Sequence, residues 1–321
     1  MTDFSRLSNI FLRKRQMNMK IVSEEHACYS MSAKNKPVLT VNQGEIFRLE
    51  TKDCYSNNLK TEKDFFTREM WNTVNPATGP VFITGTKKSD ILKIEILEIK
   101  IRDFAIMSLE HGSGALGEFI EGQETTVLPV KDGKLIFNER LSIPVNPMIG
   151  VIGTATEENI LNGTPGEHGS NMDCKIITAG SSVYLPVNVE GALLAAGDIH
   201  AVMGDGEACI CGAEVSGSIT MRASTVPWRI PTPCVETDGA FYFIGSAKTL
   251  DECEKIVLRK AHNFLENVFM MKANEAARLM SLVGDLQVCQ VVDPLKTMRF
   301  AIPKHVLTCY SKGVNVQQKN I

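Results

Sequence analysis

The chain from residue 37 to about residue 245 alternates short apolar and polar runs, which turn-forming residues separate. The run 90–104, DILKIEILEIKIRDF, is rich in β-branched residues and alternates over many positions, which favours a strand over a helix. Two further runs predict hairpins: 37–54 with a turn at Asn42 to Gly44, and 127–138 with a turn at Asp132 and Gly133. The alternation therefore predicts a mainly β body.

After Gly245 the apolar spacing changes to that of helices. Thr249 followed by Glu252 matches a capping box at the start of a first helix. A second helix is predicted over 273–284, with Asn274 as its cap and Gly284 at its end, before 285–294 alternates again. No repeated βαβ rhythm is present, so the pattern predicts a mainly β fold with an α+β C-terminal part. We divide the chain into a basic arm (1–20), a β-rich body (21–245) and an α/β C-terminal part packed on it (246–321).

Charge and cysteine usage narrow the classes of function. A formal net charge of −3 gives no broad attraction to nucleic acid or to anionic lipid, and no apolar run is long enough to span a membrane. The nine cysteines are irregularly spaced and include no C-x-x-C pair, which favours reduced thiols in the cytoplasm. Residues 1–20 carry a cluster of basic side chains, which we interpret as a flexible or partner-packed arm, with a targeting segment as the alternative.

One stretch, 197–214, concentrates possible metal ligands among apolar residues. On a strand, Asp198 and His200 project from the same face, so their ligand atoms can converge on one ion. The pattern predicts a turn at 204–206, then a second strand with Glu207 on the same face as two cysteines, and a bulge that re-aims Glu214. Buried carboxylates are costly unless they are paired or bind metal, and 176–221 contains no lysine or arginine. A metal, or partners from distant segments, must satisfy these acids.

Six collinear motifs between about residue 36 and residue 305 resemble those of the acetamidase/formamidase family of amide hydrolases. They are NPATGPVFITG (75–85), GSGALG (112–117), NPMIGVIGTA (146–155), GSNMD (169–173), GSSVYLPVNVEGALLAAGDIHAVMGDGE (180–207) and QVVDP (290–294). The resemblance implies hydrolysis of a small amide to a carboxylate and ammonia. It also implies a β-sandwich body plus a smaller α/β portion, here carrying two helices, and a site for a divalent metal, with zinc and calcium both plausible. A homodimer or larger homo-oligomer is implied as well.

The resemblance also implies which residues bind the metal. The matching positions are Asp53, Asp173, Asp198, His200 and Glu214. Three of them have a structural alternative: Asp53 as the cap of a turn, Asp173 as a hydrogen-bond acceptor, and Glu214 as the partner of Arg222. Ligation by several carboxylates and one imidazole would suit zinc beside a harder cation such as calcium.

Amide hydrolysis requires an activated water and a group that moves its proton. Glu207 is the candidate general base, with Glu214 as the substitute, and the alternative for Glu207 is a structural carboxylate in the 204–206 turn. The glycine-rich loop 111–117 lacks the Lys-Ser/Thr ending of a P-loop. We therefore interpret Gly112 and Gly114 as permitting close backbone approach to the substrate. Asn171 would orient the substrate amide, unless it holds its own turn.

Two other functions stay open at this level. Cys174 lies between an acid and a lysine, and Ser181 and Ser182 follow nearby, so a covalent amidase mechanism is one alternative. On a strand, however, Cys174 would point away from both of its neighbours. The other alternative is a non-catalytic β-sandwich binding protein that is stabilised by the metal.

Overall fold

The computed structural model describes residues 19–310, and these residues form mostly β-strands. The strands, numbered in chain order, are β1 Lys20–Val22, β2 Ala27–Cys28, β3 Ser30–Met31, β4 Leu39–Val41, β5 Ile46–Thr51, β6 Ala77–Ile83, β7 Ile91–Ile101, β8 Phe104–Glu110, β9 Gln123–Lys131, β10 Lys134–Ile136, β11 Ser142–Pro144, β12 Met148–Gly153, β13 Ile160–Leu161, β14 Gly169–Asn171, β15 Ser182–Pro186, β16 Leu194–His200, β17 Glu214–Val215, β18 Gly217–Val226, β19 Cys234–Glu236, β20 Ala240–Ala247, β21 Asp285–Gln290 and β22 Lys296–Pro303. The α-helices of the described residues are α1 Leu250–Phe269, α2 Ala273–Val283 and α3 Lys304–Leu307. None of these helices is both long and apolar enough to span a membrane.

Two large sheets form the body of the molecule. The first sheet has the order β1-β5-β18-β7-β15-β19-β20-β22-β21, and the second runs β11-β10-β9-β8-β17-β16-β12-β14, with β6 also pairing with β16, β2 and β4. Buried residues of both sheets share one apolar core, for example Leu49 and Ile94 of the first sheet with Ile83 and Leu194 of the second. The predicted β-sandwich body is therefore confirmed.

Three predictions that depend on neighbouring residues agree with the structure. Strand β7 covers the alternating run, and β9 and β10 form the second predicted hairpin. Its turn places both Asp132 (φ 51°) and Gly133 (φ 72°) in the left-handed region, as a tight hairpin turn requires. Helix α1 begins after Thr249, and the capping box with Glu252 is present.

The hairpin predicted over 37–54 is wrong. Strand β4 pairs with β6 in the second sheet, whereas β5 pairs with β1 and β18 in the first sheet. The turn at Asn42 to Gly44 exists, with the Glu45 N–H donating to the Asn42 carbonyl at 3.1 Å, but it carries the chain from one sheet to the other. Alternation of apolar residues is the same for both arrangements, because each strand buries one face in the shared core.

The C-terminal part continues the first sheet. Strand β20 crosses the proposed boundary at residue 245, and β22 pairs with it. Helix α1 covers these strands through a second apolar core, in which Phe264 contacts Phe241 and Phe243 at ring centroid distances of 5.1 and 4.9 Å. Helix α2 ends at Gly284 as predicted, but its N-cap is Lys272 and Asn274 lies in its first turn, so that cap prediction is wrong. Residues 1–18 of the predicted basic arm lie outside the described residues.

The strand predicted after the 204–206 turn is also wrong. Residues 201–213 are irregular. Strand β17 pairs with the last two residues of β16, and Glu214 lies opposite His200. Glu207 (φ 50°) and Ile210 (φ 81°) adopt left-handed conformations, and the Ile210 N–H closes a turn on the Glu207 carbonyl at 2.9 Å. These conformations break the strand alternation, although they keep Glu207 buried.

Candidate active site

A cavity of about 380 Å³ opens beside the end of β16. Acidic and polar side chains line its buried part: Asn171, Asp198, His200, Glu207, Glu214 and Asp293. Four of them were predicted from the 197–214 stretch, and Asn171 was predicted from the 169–173 motif. The cavity therefore brings together predicted site residues from both of these segments.

Two groups of possible ligand atoms lie in this region. Asp173, His200 and Glu207 each offer an atom within 4.8 Å of the other two, and so do Cys54, Asp198 and Glu214. The imidazole lies between the groups, because His200 Nε2 is 3.3 Å from Glu214 Oε2, 3.5 Å from Asp198 Oδ1 and 3.8 Å from Asp173 Oδ1. One ion or two neighbouring ions could bind within these distances.

Two glycines permit this close arrangement. A Cβ atom on Gly150 of β12 would lie 2.5 Å from Asp173 Oδ1 and 2.7 Å from Asp198 Oδ2. A Cβ atom on Gly212 would lie 2.6 Å from His200 Nδ1. Asp173 (φ 41°) and Asp198 (φ 55°) are themselves left-handed, which is uncommon for residues other than glycine and is often found at functional sites.

Four acids of the site, Asp173, Glu207, Glu214 and Asp293, have raised pKa values and so resist ionisation. Burial, followed by the charges of neighbouring carboxylates, raises the pKa of Glu207, Glu214 and Asp173 well above the usual range. Burial also raises the pKa of Asp293 to about 8. Burial alone would lower the pKa of His200, but the negative charges of Asp198 and Asp173 outweigh it, and the pKa of the imidazole is raised.

Several buried polar atoms of the site lack a hydrogen-bond partner among the described residues. They are both carboxylate oxygens of Asp173, Asp198 Oδ1, Glu207 Oε2, Glu214 Oε2, Asn171 Oδ1 and His200 Nδ1. Unpaired buried acceptors are rare in native proteins because each one costs free energy. Carboxylate oxygens and one imidazole are suitable ligands for a divalent cation, so the residues present fit such an ion.

The structure places the other predicted ligand, Asp53, in a turn. Its Oδ1 accepts the Asn57 N–H at 2.8 Å, and burial raises its pKa to about 6. The negative charge of Asp198 contributes to this shift, so Asp53 lies near the site. The neighbouring Cys54, which was not predicted, is the residue that lines the cavity. Asp53 remains a predicted ligand, but its geometry supports that role less than the geometry of the other four does.

The alternative partner proposed for Glu214 is occupied elsewhere. Arg222 donates two hydrogen bonds to Glu95, at 2.7 and 2.9 Å. Glu214 instead accepts the Gly212 N–H through Oε1 at 2.8 Å, which leaves Oε2 directed at His200. This arrangement agrees with a ligand role for Glu214.

The predicted substrate-binding residues have different environments. Gly112 donates its N–H to the Gly117 carbonyl at 2.9 Å, and the neighbouring Ser113 is the loop residue that lines the cavity. At Gly114 a Cβ atom would lie 2.9 Å from the backbone of Cys209 and Ile210, so this glycine lets the loop pack against the 207–211 turn. Asn171 donates to Asp293 Oδ2 at 2.9 Å.

Asp293 is a site residue that the residue assignments missed. It lies in the QVVDP motif, and that motif was the available signal. The Gln290 Oε1 atom accepts the Val292 and Asp293 N–H groups at 2.9 and 3.0 Å, which fixes the loop after β21. The C-terminal part therefore contributes an acid to the cavity of the body.

Cys174 lies away from this cavity lining. It is fully buried, and a hydrogen bond from Cys289 and the charge of Arg299 lower its pKa against the effect of burial. The cysteines that line the cavity are Cys54 and Cys211. This placement gives the covalent alternative with Cys174 no support.

An ion pair between the buried Arg299 of β22 and the part-exposed Asp205 anchors the loop that carries Glu207. Arg299 donates to both carboxylate oxygens of Asp205 at 2.8 Å, and the Lys175 ammonium is 3.0 Å from Asp205 Oδ2. Gly206, next to this acid, donates to the Cys289 carbonyl at 2.8 Å. Asp205 is thus satisfied by cations from distant segments, unlike the acids of the cavity.

Replacement of Asp205 by alanine is expected to destabilise the protein by about 1–3 kcal/mol, because the buried Arg299 loses two hydrogen bonds to a carboxylate that is itself partly exposed to solvent. Glu95→Ala is the matched control, since it removes the carboxylate from the part-exposed Arg222 and is expected to cost about 0–1 kcal/mol. Urea unfolding measures both values. Equal losses in the two variants would contradict the structural role of the pair between Asp205 and Arg299.

Comparison with known proteins identifies the relatives of this fold. A sequence profile of the Acetamidase/Formamidase family matches residues 154–229. The crystal structure of an acetamidase from Bacillus halodurans is 42% identical, with a TM-score of 0.89, and the match covers 92% of this chain and all of that one. An acetamidase structure from Yersinia enterocolitica is 26% identical, with a TM-score of 0.84, over 90% of this chain and 93% of that one.

A formamidase of Methylophilus methylotrophus is 24% identical in an alignment 249 residues long, and the match covers 59% of this chain. The chain spans about 60% of the length of the curated formamidases that it matches. The solved structures provide the more complete comparison, since their similarity extends over nearly the whole of both chains. By its sequence identity to the Bacillus protein and by the family motifs that surround its acidic cavity, this chain belongs to the acetamidase/formamidase family.

Proposed function

We propose that this chain hydrolyses the C–N bond of a small linear amide to a carboxylate and ammonia. Membership of the acetamidase/formamidase family supports the amide hydrolase class. The observation that carries the mechanism is the set of buried carboxylate oxygens around His200 without hydrogen-bond partners among the described residues. Such a set is stable when a cation neutralises it.

Four residues would hold the cation: Asp173, Asp198, His200 and Glu214. Carboxylates and imidazole suit zinc, and a second, harder ion such as calcium would find carboxylate oxygens next to it. A bound divalent ion supplies Lewis acidity, which polarises a carbonyl oxygen and lowers the pKa of water toward ~7.

Within this scheme the protein supplies proton transfer and orientation. Glu207, whose pKa burial raises, would take a proton from the attacking water and return it to the leaving nitrogen. Asn171 is held by Asp293, and its unpaired Oδ1 could accept an N–H of the substrate amide. Gly112 and Gly114 would act by holding Ser113 at the cavity, where close packing excludes water.

Release of ammonia from formamide and acetamide tests this proposal. We expect the purified protein to release ammonia, to lose this activity after treatment with a chelator, and to regain it with zinc or calcium. If Cys174 is not the nucleophile, a thiol reagent should have the same effect on the activity of the Cys174→Ala variant as on that of the unaltered protein. Absence of ammonia from all short amides in the presence of metal would favour the non-catalytic binding protein instead.

Two further properties are also proposed, the oligomeric state and the cellular location. A homodimer or larger homo-oligomer is proposed from the family resemblance, and light scattering measures it. A cytoplasmic location is proposed from the cysteines, all nine of which are free thiols.

A further inference from the structure

The cavity also has a set of apolar side chains, which three separate segments supply. They are Phe66, Trp71, Val74, Ile210, Val292 and Pro294. Trp71 is 54% exposed, and the others are half-buried or exposed, whereas the acids of the site are nearly all buried. The apolar set therefore lies between the acids and the solvent.

The volume of the cavity exceeds that of a simple amide. A water molecule takes about 30 Å³ of liquid, so the four non-hydrogen atoms of acetamide need roughly 120 Å³ and one or two ions about 30 Å³ each. About half of the 380 Å³ would stay unfilled. Cavities that hold larger organic ligands measure about 300–1,000 Å³, and this one falls within that range.

An aromatic series leads from the interior toward the solvent. The buried Tyr55 contacts Phe66 at a centroid distance of 6.0 Å, and Phe66 contacts Trp71 edge-to-face at 5.0 Å. The Phe66 carbonyl accepts a hydrogen bond from Gln123 Nε2 at 2.5 Å, which fixes this loop to β9. The indole is thus oriented by its neighbours while much of its apolar surface faces the solvent, and exposed apolar surface of this kind marks ligand-binding sites.

The charges of the cavity restrict the ligand further. No lysine or arginine is among the described residues that line it, and Glu110 adds a carboxylate beside the acids. An anionic substituent in the outer part of the cavity would be repelled by Glu110, with no lysine or arginine in the lining to compensate. A neutral apolar group meets no such penalty and buries surface against Phe66 and Trp71.

We propose that the preferred substrate is a primary amide whose acyl group carries an aromatic ring or an apolar group of similar size, which packs against Phe66 and Trp71. This inference rests on the proposed amide hydrolysis and adds the substrate class. The carboxamide reaches the buried acids while the ring occupies the outer, apolar part of the cavity.

A comparison of phenylacetamide with acetamide tests the inference. We expect kcat/KM for phenylacetamide to exceed that for acetamide at least about 10-fold, since one additional methylene group in a hydrophobic pocket is already discriminated by about 10- to 200-fold. Trp71→Ala should lower kcat/KM for phenylacetamide at least 10-fold and leave acetamide within a factor of two. Phe119→Ala, which removes an aromatic ring that is 73% exposed and outside the cavity lining, is the matched control.

Binding provides a second measurement that does not depend on turnover. The chain has two tryptophans, and Trp228 packs against the second apolar core, beneath α1. Phenylacetamide should therefore quench the fluorescence of Trp71 in the unaltered protein. The fluorescence of the Trp71→Phe variant, which comes from Trp228, should stay unchanged. Equal or faster hydrolysis of acetamide would overturn the substrate class and leave the proposed function intact. Quenching without hydrolysis of any amide would overturn the proposed function but retain the aromatic site, and no quenching would overturn the site itself.

Discussion

Replacement of Glu207 by glutamine is expected to lower kcat for amide hydrolysis by about 10²- to 10⁴-fold, the usual contribution of a general base. The amide side chain keeps the shape of the glutamate but cannot accept the proton of the attacking water. Because Glu207 Oε2 is buried and has no hydrogen-bond partner among the described residues, the substitution removes no hydrogen bond from that atom. An ammonia assay at saturating amide measures the effect.

The control for this variant is Glu110→Gln, which alters an exposed glutamate that lines the same cavity. Its kcat is expected to stay within a factor of three. Elemental analysis of both variants separates the two roles that the geometry permits for Glu207. If Glu207→Gln loses its metal together with its activity, Glu207 is a ligand, and the role of base passes to Glu214.

The second large effect expected is a loss of stability with rising pH in the metal-free protein. Unfolded carboxyl groups have pKa values of about 4, whereas the pKa of Asp293 is about 8 in the folded protein and that of Asp53 about 6. Between these limits the folded state binds more protons than the unfolded state, so stability is complete below about pH 4 and falls as the pH rises toward 8. Chelator-treated protein should melt at least about 5 °C lower at pH 8 than at pH 5.5.

A divalent cation should reverse this dependence. Metal binding displaces protons from the ligands, so zinc or calcium should raise the melting temperature more at pH 8 than at pH 5.5 and release protons on binding. Asp173→Asn is the matched variant, since it removes one of the interacting acids and should flatten the dependence on pH. A melting temperature that rises with pH in the metal-free protein would contradict the account of the acid cluster.

Local sequence signals predicted several parts of the fold that depend on neighbouring residues, although the cap at Asn274 was wrong. The capping box of Thr249 with Glu252 and the left-handed pair Asp132 and Gly133 each act within a few residues, and both are present in the structure. The hairpin over 37–54 failed because alternation shows that a strand has a buried face but not which strand it pairs with. The strand after residue 207 failed because Glu207 and Ile210 adopt left-handed conformations, and the turn that they form packs against Gly114. Alternation within this stretch does not encode a contact with such a distant segment.

The residues of the candidate site divide in the same way, into those that local spacing predicts and those that depend on contacts between distant segments. Asp198 and His200 were predictable from a spacing of two on one strand, and the structure brings both to the cavity. Asp173 comes from another segment, and only the family resemblance pointed to it. The roles of Asp293 and Cys54 depend on the packing of the C-terminal part and of the 52–58 turn against β16, which alternation and spacing do not encode.

Direct determination of bound metal tests the central claim, that the buried acids around His200 hold a divalent cation. Elemental analysis should find at least one zinc or calcium ion per chain in the purified protein, and a loss of that ion in Asp198→Ala when circular dichroism shows that the variant is folded. The same metal content in the folded variant, or no divalent ion in the unaltered protein after incubation with zinc and calcium, would contradict the claim.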